Sequence, residues 1–148
     1  LVRQLQKRYL MQTVELIRYF DGTKLVSTEE ALVSGKYRDN MLFIRYENGL
    51  EIYVNCNWDD REWRIAVGDD SFLLPSGGWF ARQGSDFREF SAIQDGHRVS
   101  YVDSTEYRYL NGYGKNTVVD ELSTENIIIQ YKTGPKAGKA LHYPPAKE

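Results

Sequence analysis

Met41-Leu42-Phe43-Ile44-Arg45-Tyr46-Glu47-Asn48-Gly49-Leu50-Glu51-Ile52-Tyr53-Val54-Asn55-Cys56 is two alternating apolar runs joined across Asn48-Gly49, and its reading decides the fold. Asn-Gly between such runs is the strongest short-range hairpin signal, because a type I′ turn needs positive φ at both central residues. Strands are expected over Met41 to Glu47 and Leu50 to Cys56. A two-residue loop sets Glu47 opposite Leu50, Phe43 opposite Val54 and Met41 opposite Cys56 on one face. The other face then holds Leu42 with Asn55, Ile44 with Tyr53 and Tyr46 with Glu51. Both faces carry large apolar groups. The hairpin is therefore expected to lie centrally in its sheet, covered on one side by a second sheet and partly on the other by an N-terminal helix.

Downstream the pattern is strands and turns. Strands are expected over Arg61 to Val67, Ser71 to Leu74, Trp79 to Arg82, Phe87 to Gln94, His97 to Asp103, Glu106 to Leu110 and Ile127 to Lys132, each bounded by Gly, Asp, Asn or Pro. Thr117 to Thr124 reads equally as strand or turn. A second hairpin turning at Asp95-Gly96 sets Ala92 opposite Val99, Phe90 opposite Tyr101 and Arg88 opposite Asp103. Phe90, Ala92, Val99 and Tyr101 then form a buried face, with Ser91, Arg98 and Ser100 outward. Short strands at this spacing indicate an antiparallel β-sandwich rather than a βαβ fold.

Upstream, Leu1 to Phe20 reads as an amphipathic helix, with Val2, Leu5, Tyr9, Val14, Ile17 and Phe20 near one face. It starts without a cap or an initiator Met, as expected of a piece cut from a longer polypeptide. Lys24 to Val26 is extended. Ser27-Thr28-Glu29-Glu30 matches a capping box, so a short second helix over Thr28 to Val33 is expected, stopped by Gly35. The expected organisation is a helical lead-in over 1–35, the sandwich over 36–133 and a poorly ordered tail over 134–148.

Composition sets limits. The chain of 148 residues, 41% hydrophobic with a formal charge of -2, suffices for one domain with a core. It lacks the basic field that nucleic acid or anionic membrane partners call for, and no apolar run is long enough for a membrane helix. Cys56 is the only cysteine, which excludes an internal disulfide; its place in an alternating strand suggests a buried apolar thiol.

No catalytic constellation stands out. Asp59, Asp60 and Glu62, and again Asp69 and Asp70, could pair as glycosidase carboxylates or calcium ligands, but both groups fall in connections between strands, where Asp is a turn residue. His97 and His142 have no second ligand at zinc spacing, so neither metal nor cofactor is expected. There is no Gly-x-Ser-x-Gly elbow, and Gly112 to Thr117 is a glycine-rich turn rather than a phosphate loop. Aromatics are the one enriched feature. Trp63 shares a strand face with Ile65 and belongs in the core. Trp58 and Trp79 flank turns and, with Tyr53 and Tyr113, are the candidates for stacking on sugar rings; Tyr107 and Tyr109 lie nearby in sequence.

Asn48-Gly49-Leu50-Glu51-Ile52-Tyr53-Val54-Asn55, then Glu62-Trp63-Arg64-Ile65, then Leu73-Leu74-Pro75-Ser76-Gly77-Gly78-Trp79-Phe80-Ala81, resembles the C-terminal β-domain of large bacterial glycoside-hydrolase-like proteins. Phe90 to Ala92, Asp95-Gly96, Val99 to Val102 and Tyr107 to Tyr109 continue the likeness. Ser76 stands where a second proline is common, which should loosen the turn. The N-terminal helix resembles the closing helix of the barrel that precedes such domains. The resemblance implies that catalytic carboxylates belong to that upstream barrel, so no catalytic residue carries over to this chain. It implies an accessory domain that packs on the barrel through the apolar side of the helix and first hairpin, and that can dimerise through the same patch when alone. The competing expectation is an independent carbohydrate-binding module.

Overall fold

The computed structural model describes residues 2–144. The fold is mainly β, antiparallel and sandwich-like, with two α-helices. Its elements are α1 (Val2–Tyr9), β1 (Val14–Phe20), β2 (Leu25–Val26), α2 (Thr28–Ser34), β3 (Met41–Tyr46), β4 (Leu50–Asn55), β5 (Trp63–Val67), β6 (Asp70–Leu74), β7 (Trp79–Gln83), β8 (Phe87–Gln94), β9 (His97–Asp103), β10 (Tyr107–Asn111), β11 (Thr117–Val119), β12 (Leu122–Thr124), β13 (Ile127–Tyr131) and β14 (Ala140–Tyr143). One long sheet runs β14-β13-β10-β9-β8-β7-β4-β3-β1-β2, and the hairpin β5–β6 joins it where Leu73 pairs with Ile93 of β8. The ribbon β11–β12 stands apart from this sheet. Three elements fall outside the expected 36–133 bounds yet are hydrogen-bonded into the sheet: β1, β2 and β14.

The first hairpin is central, as its two apolar faces require, but its register differs from expectation by one residue. Met41 pairs with Asn55, Phe43 with Tyr53 and Arg45 with Glu51. The cause lies in the turn: Gly49 has φ 85° while Asn48 is not left-handed, and Gly49 N–H donates to Tyr46 O. That is a three-residue loop with its left-handed position on glycine, not a type I′ turn. Asn48 Oδ1 accepts from Leu50 N at 3.1 Å and its Nδ2 donates to Arg8 O at 2.8 Å, which fixes the wider loop against the end of α1. A one-residue slip turns β4 over. Tyr53 and Asn55 join Met41 and Phe43 on the inner face, and Leu50, Ile52 and Val54 join Leu42, Ile44 and Tyr46 on the outer one. Cys56 falls beyond the strand and is exposed rather than buried.

The second hairpin has the expected register throughout, because Asp95 (φ 51°) and Gly96 (φ 79°) both adopt the left-handed conformation that a two-residue loop demands. Phe90, Ala92, Val99 and Tyr101 are buried as expected. Ser91 and Ser100 are buried too, against expectation. Arg98 Nε donates to Ser91 Oγ at 2.8 Å, and the Tyr113 hydroxyl lies 2.8 Å from Ser100 Oγ.

The single helix expected over Leu1 to Phe20 is instead a short helix and a strand. α1 ends where Met11 turns left-handed (φ 62°), and Val14–Phe20 pairs with β3. Val14, Ile17, Tyr19 and Phe20 are β-branched or aromatic and satisfy the open edge of β3, a tertiary gain that outweighs helical spacing. Phe20 stacks on Trp63 at 5.2 Å on the inner side, while Ile17 and Tyr19 face out. The capping box forms in full around Ser27 and Glu30, and Gly35 (φ 76°) closes α2. The tail is not disordered through its length: β14 pairs with β13 from Gln130↔Ala140 to Ile127↔Tyr143, and 145–148 lie outside the described residues.

The inner core is a run of rings. Phe20, Trp63, Tyr53, Phe80, Phe72, Phe90 and Tyr101 follow one another with centroids 4.5 to 6.3 Å apart, the range that favours tilted and edge-on packing. Trp63, Ile65 and Val67 of β5 are buried there. Thr117 to Thr124 forms β11–β12, whose turn residues Asp120 (φ 45°) and Glu121 (φ 69°) are both left-handed without a glycine. Arg88 pairs with Asp120, the Tyr101 hydroxyl donates to Asp120 Oδ2 at 2.8 Å, and Arg108 Nη1 donates to Asp120 O at 2.8 Å, so three side chains hold this strained turn.

Candidate functional site

The ladder registers place the outer-face side chains in rows across the sheet. One row reads Tyr19, Leu42, Val54, Trp79, Ser91, Ser100, Asn111 and Ile127. The next reads Ile17, Ile44, Ile52, Ala81, Glu89, Val102, Tyr109 and Ile129. Helix α1 covers only the middle. Leu5 packs with Leu50, Ile52, Ala81, Phe87 and Val102, and Arg8 lies 4.0 Å over the Phe87 ring. On the β1–β3–β4 side, Ile17, Tyr19, Leu42, Ile44, Val54 and Trp79 form a contiguous, partly exposed apolar surface. Beside it Leu10, Met11 and Val14 are exposed, Met11 almost completely.

Glu89 sits in the middle of an otherwise apolar row. It is 0% exposed, and neither carboxylate oxygen has a hydrogen-bond partner. Burial pushes its carboxyl up from 4.5 to about 7, opposed by the nearby Trp79 indole and by the Arg8 guanidinium. The Trp79 Nε1 hydrogen still makes no bond of good geometry. With α1 in place the Glu89 carboxyl is sealed from solvent, with Arg8 and Tyr107 as its titratable neighbours.

The four aromatic candidates are not brought together. Trp58 is 87% exposed in the loop after β4. Trp79 lies half-buried on the outer face. Tyr53 is partly buried on the inner face within the ring series, where burial raises its phenol. Tyr113 is exposed at the turn after β10 and covers Ser100. Tyr107 and Tyr109 lie beside α1 on the outer face, their phenols raised by burial.

Side-chain hydrogen bonds anchor the Trp58 loop. Asn55, fully buried, donates to Arg61 O at 2.7 Å and Leu74 O at 3.0 Å and accepts from Asn57 N at 3.1 Å. Asn57 donates to Asp39 O at 2.9 Å and accepts from Asp59 N at 2.8 Å. Ser76 Oγ donates to Asn57 O, so the serine at the expected proline position tightens this region rather than loosening it. Asp59, Asp60 and Glu62 are exposed; Arg61 bridges Asp39 and Asp59.

A cleft of about 390 Å³ opens at the other end, lined by Asp70, Phe72, Arg82, Arg88, Asp103 and Asp120. Its charges are mostly spent within the protein: Arg82 on Glu51, Arg88 on Asp120, Asp103 on Lys132. Burial, and then the bond to Asp120, hold the Tyr101 phenol well above its ordinary range. His97 Nε2 lies 2.8 Å from Thr117 Oγ1, and His142 is exposed on β14. Among the described residues no group of three or more His, Cys, Asp or Glu is placed to hold a metal ion. Tyr113 to Asn116 form an exposed turn between buried Gly112 and Thr117, and a Cβ at Gly112 would lie 2.5 Å from Lys115 O.

Sequence reasoning missed Glu89 because Phe90 and Ala92 define a buried face and leave Glu89 on the side assumed to meet solvent. The available signal was the first hairpin. Its second apolar face needs a cover, and strands beside it share that cover. Comparison with protein-family models, with curated proteins and with solved structures finds no match to this chain.

Proposed function

We propose that this chain is a non-catalytic accessory β-domain of a glycoside-hydrolase-like protein, which packs on and stabilises a neighbouring catalytic barrel through its outer sheet face. The observation that carries the packing role is the row Tyr19–Leu42–Val54–Trp79, with Ile17 and Ile44 beside it, left partly open next to α1. Partly exposed apolar groups contiguous over four strands suit a partner surface better than solvent. The apolar side of α1 is engaged with its own sheet through Leu5, so the contact is assigned to the hairpin face and to Leu10, Met11 and Val14 rather than to α1. The assignment to a glycoside-hydrolase-like parent rests on the sequence resemblance alone.

Hydrogen exchange compared between this chain and its parent polypeptide tests the proposal. Peptides spanning 14–20 and 41–56 are expected to gain protection in the parent, and equal exchange would overturn it. The second reading, a carbohydrate-binding module, is favoured by one observation, the rigid display of Trp58. Glycan binding that disappears in Trp58→Ala, with no change in exchange over 14–56, would replace the first reading with the second.

A further inference from the structure

Among the described residues, the buried side-chain polar atoms without a hydrogen-bond partner are the two Glu89 carboxylate oxygens and Trp79 Nε1. They lie on adjacent strands of the outer face, one diagonal step apart, since Glu89 is paired with Ala81 and Trp79 with Ser91. A buried, unpartnered carboxylate is tolerated when protonated and costly when ionised, unless its cover moves. That cover is α1. Leu5 rests on Ala81 and Val102, the residues that flank Glu89 across the sheet.

The cover is weakly built. An eight-residue helix has little stability of its own and depends on tertiary contacts. Those contacts include the Leu5 side chain, the Tyr9 ring stacked on Tyr46 at 6.3 Å, the Arg8 stack on Phe87, the Asn48 bond to Arg8 O, and Gln4 and Lys7 on Glu106 at 3.0 and 3.1 Å. It is followed by Leu10 and Met11, both exposed, with Met11 in the left-handed region that a non-glycine residue disfavours. Residues 10–12 can therefore serve as a hinge, with Thr13 O kept on Glu47 N at 3.0 Å beside β1.

We propose that α1 is a strap that lies over Glu89 only while that carboxyl is neutral, and that ionisation of Glu89 releases the helix from the sheet. The proposal is independent of what packs on the rest of the outer face. Among the described residues, the charged and titratable groups coupled to Glu89 are Arg8 on α1 and Tyr107 on β10, while Glu106 before β10 and Asp86 in the turn before β8 act on Arg8. The Trp79 indole and the Arg8 guanidinium both favour an ionised Glu89. Arg8 Nη1 is already committed to Gln4 O at 2.8 Å and Gln4 Oε1 at 3.0 Å, and burial holds its guanidinium below the ordinary value. Glu106 and Asp86 compete with Glu89 for the Arg8 charge. Release exposes Glu89 to water and uncovers Leu50, Ile52, Ala81, Phe87 and Val102, which extends the apolar face toward β9.

The test is hydrogen exchange of the amides of Gln4 to Tyr9 between pH 4.5 and 8.5, corrected for intrinsic exchange, in the wild-type chain and in Glu89→Gln. The opening equilibrium is expected to rise about 100-fold in the wild type and to stay flat in Glu89→Gln, while β8 and β9 amides keep their protection in both. Equal pH dependence in the two proteins, no rise in the wild type, or loss of protection shared with β8 and β9 would each overturn the strap. A rise in protection with pH, the signature of Arg8 closing on the ionised carboxylate, would overturn it as well.

Discussion

Replacing Asn55 probes the joint from which the Trp58 loop hangs. Its side chain makes three hydrogen bonds, to Arg61 O (2.7 Å), Leu74 O (3.0 Å) and from Asn57 N (3.1 Å), while its backbone bonds to Gly78 O and Gly77 N. Asn55→Ala keeps the backbone bonds and removes the other three. At about 1 kcal/mol net each, with the buried Leu74 carbonyl left bare, the loss is about 3 kcal/mol. For a chain of 148 residues that corresponds to a fall in Tm of roughly 6 to 12 °C. Asn55→Asp keeps the shape but turns an acceptor toward two carbonyls and adds a buried charge. Its loss exceeds that of alanine at pH 7 and narrows on acidification, because a protonated carboxyl regains one donor. Urea unfolding at pH 5 and pH 7, with m-values held equal, measures both. An alanine variant within 1 kcal/mol of wild type, or an aspartate variant whose deficit ignores pH, would refute the assignment of Asn55 as the loop's anchor.

Other outcomes follow from the same structure. Glu89→Gln removes a pH-linked cost. Below pH 4.5 both states keep the proton, whereas between 4.5 and about 7 the folded state holds a proton that the unfolded chain has lost. Wild-type stability therefore falls as pH rises through that window, by up to about 3 kcal/mol at 1.36 kcal/mol per pH unit, with release of α1 limiting the loss. Unfolding of Glu89→Gln over the same range should show no such fall. Gly78→Ala places a methyl 2.6 Å from Pro75 Cδ and 2.8 Å from Ser91 O, and calorimetry should record a loss of at least about 2 kcal/mol. Ser27→Ala breaks the capping box of α2 and should cost about 1 kcal/mol, read as faster exchange confined to Thr28–Ser34.

Local chemistry made the second hairpin legible and the first one legible but for a single residue. Asp95 and Gly96 both take positive φ, so the dipeptide alone determines the pairing. Asn48-Gly49 looks equivalent, yet the Asn48 side chain bonds to Leu50 N and to Arg8 O, the latter forty residues away in the chain. A contact with α1 thus helps choose the wider loop and decides which way Tyr53 points. Val14–Phe20 was obscured in the same manner, since its spacing suits a helix and only the open edge of β3 makes it a strand. Nor does the polar, glycine-containing tail announce β14, which forms because β13 offers an unpaired edge. Trp58 was recognisable as exposed from its place beside a turn, and Trp63 as core from its alternation with Ile65. Glu89 required the face assignment of the neighbouring strands before its burial could be inferred.

The packing role is tested most directly by the association state of the chain and of Leu42→Arg, measured by sedimentation equilibrium over a wide concentration range. Leu42 lies in the partly exposed row between Tyr19 and Val54, where an arginine leaves the inner core untouched and puts a charge into any contact. The wild-type chain, alone, should self-associate through this face as concentration rises, and Leu42→Arg should remain a folded monomer. A wild type that stays monomeric throughout, or a variant that associates equally well, would contradict the outer face as a packing surface.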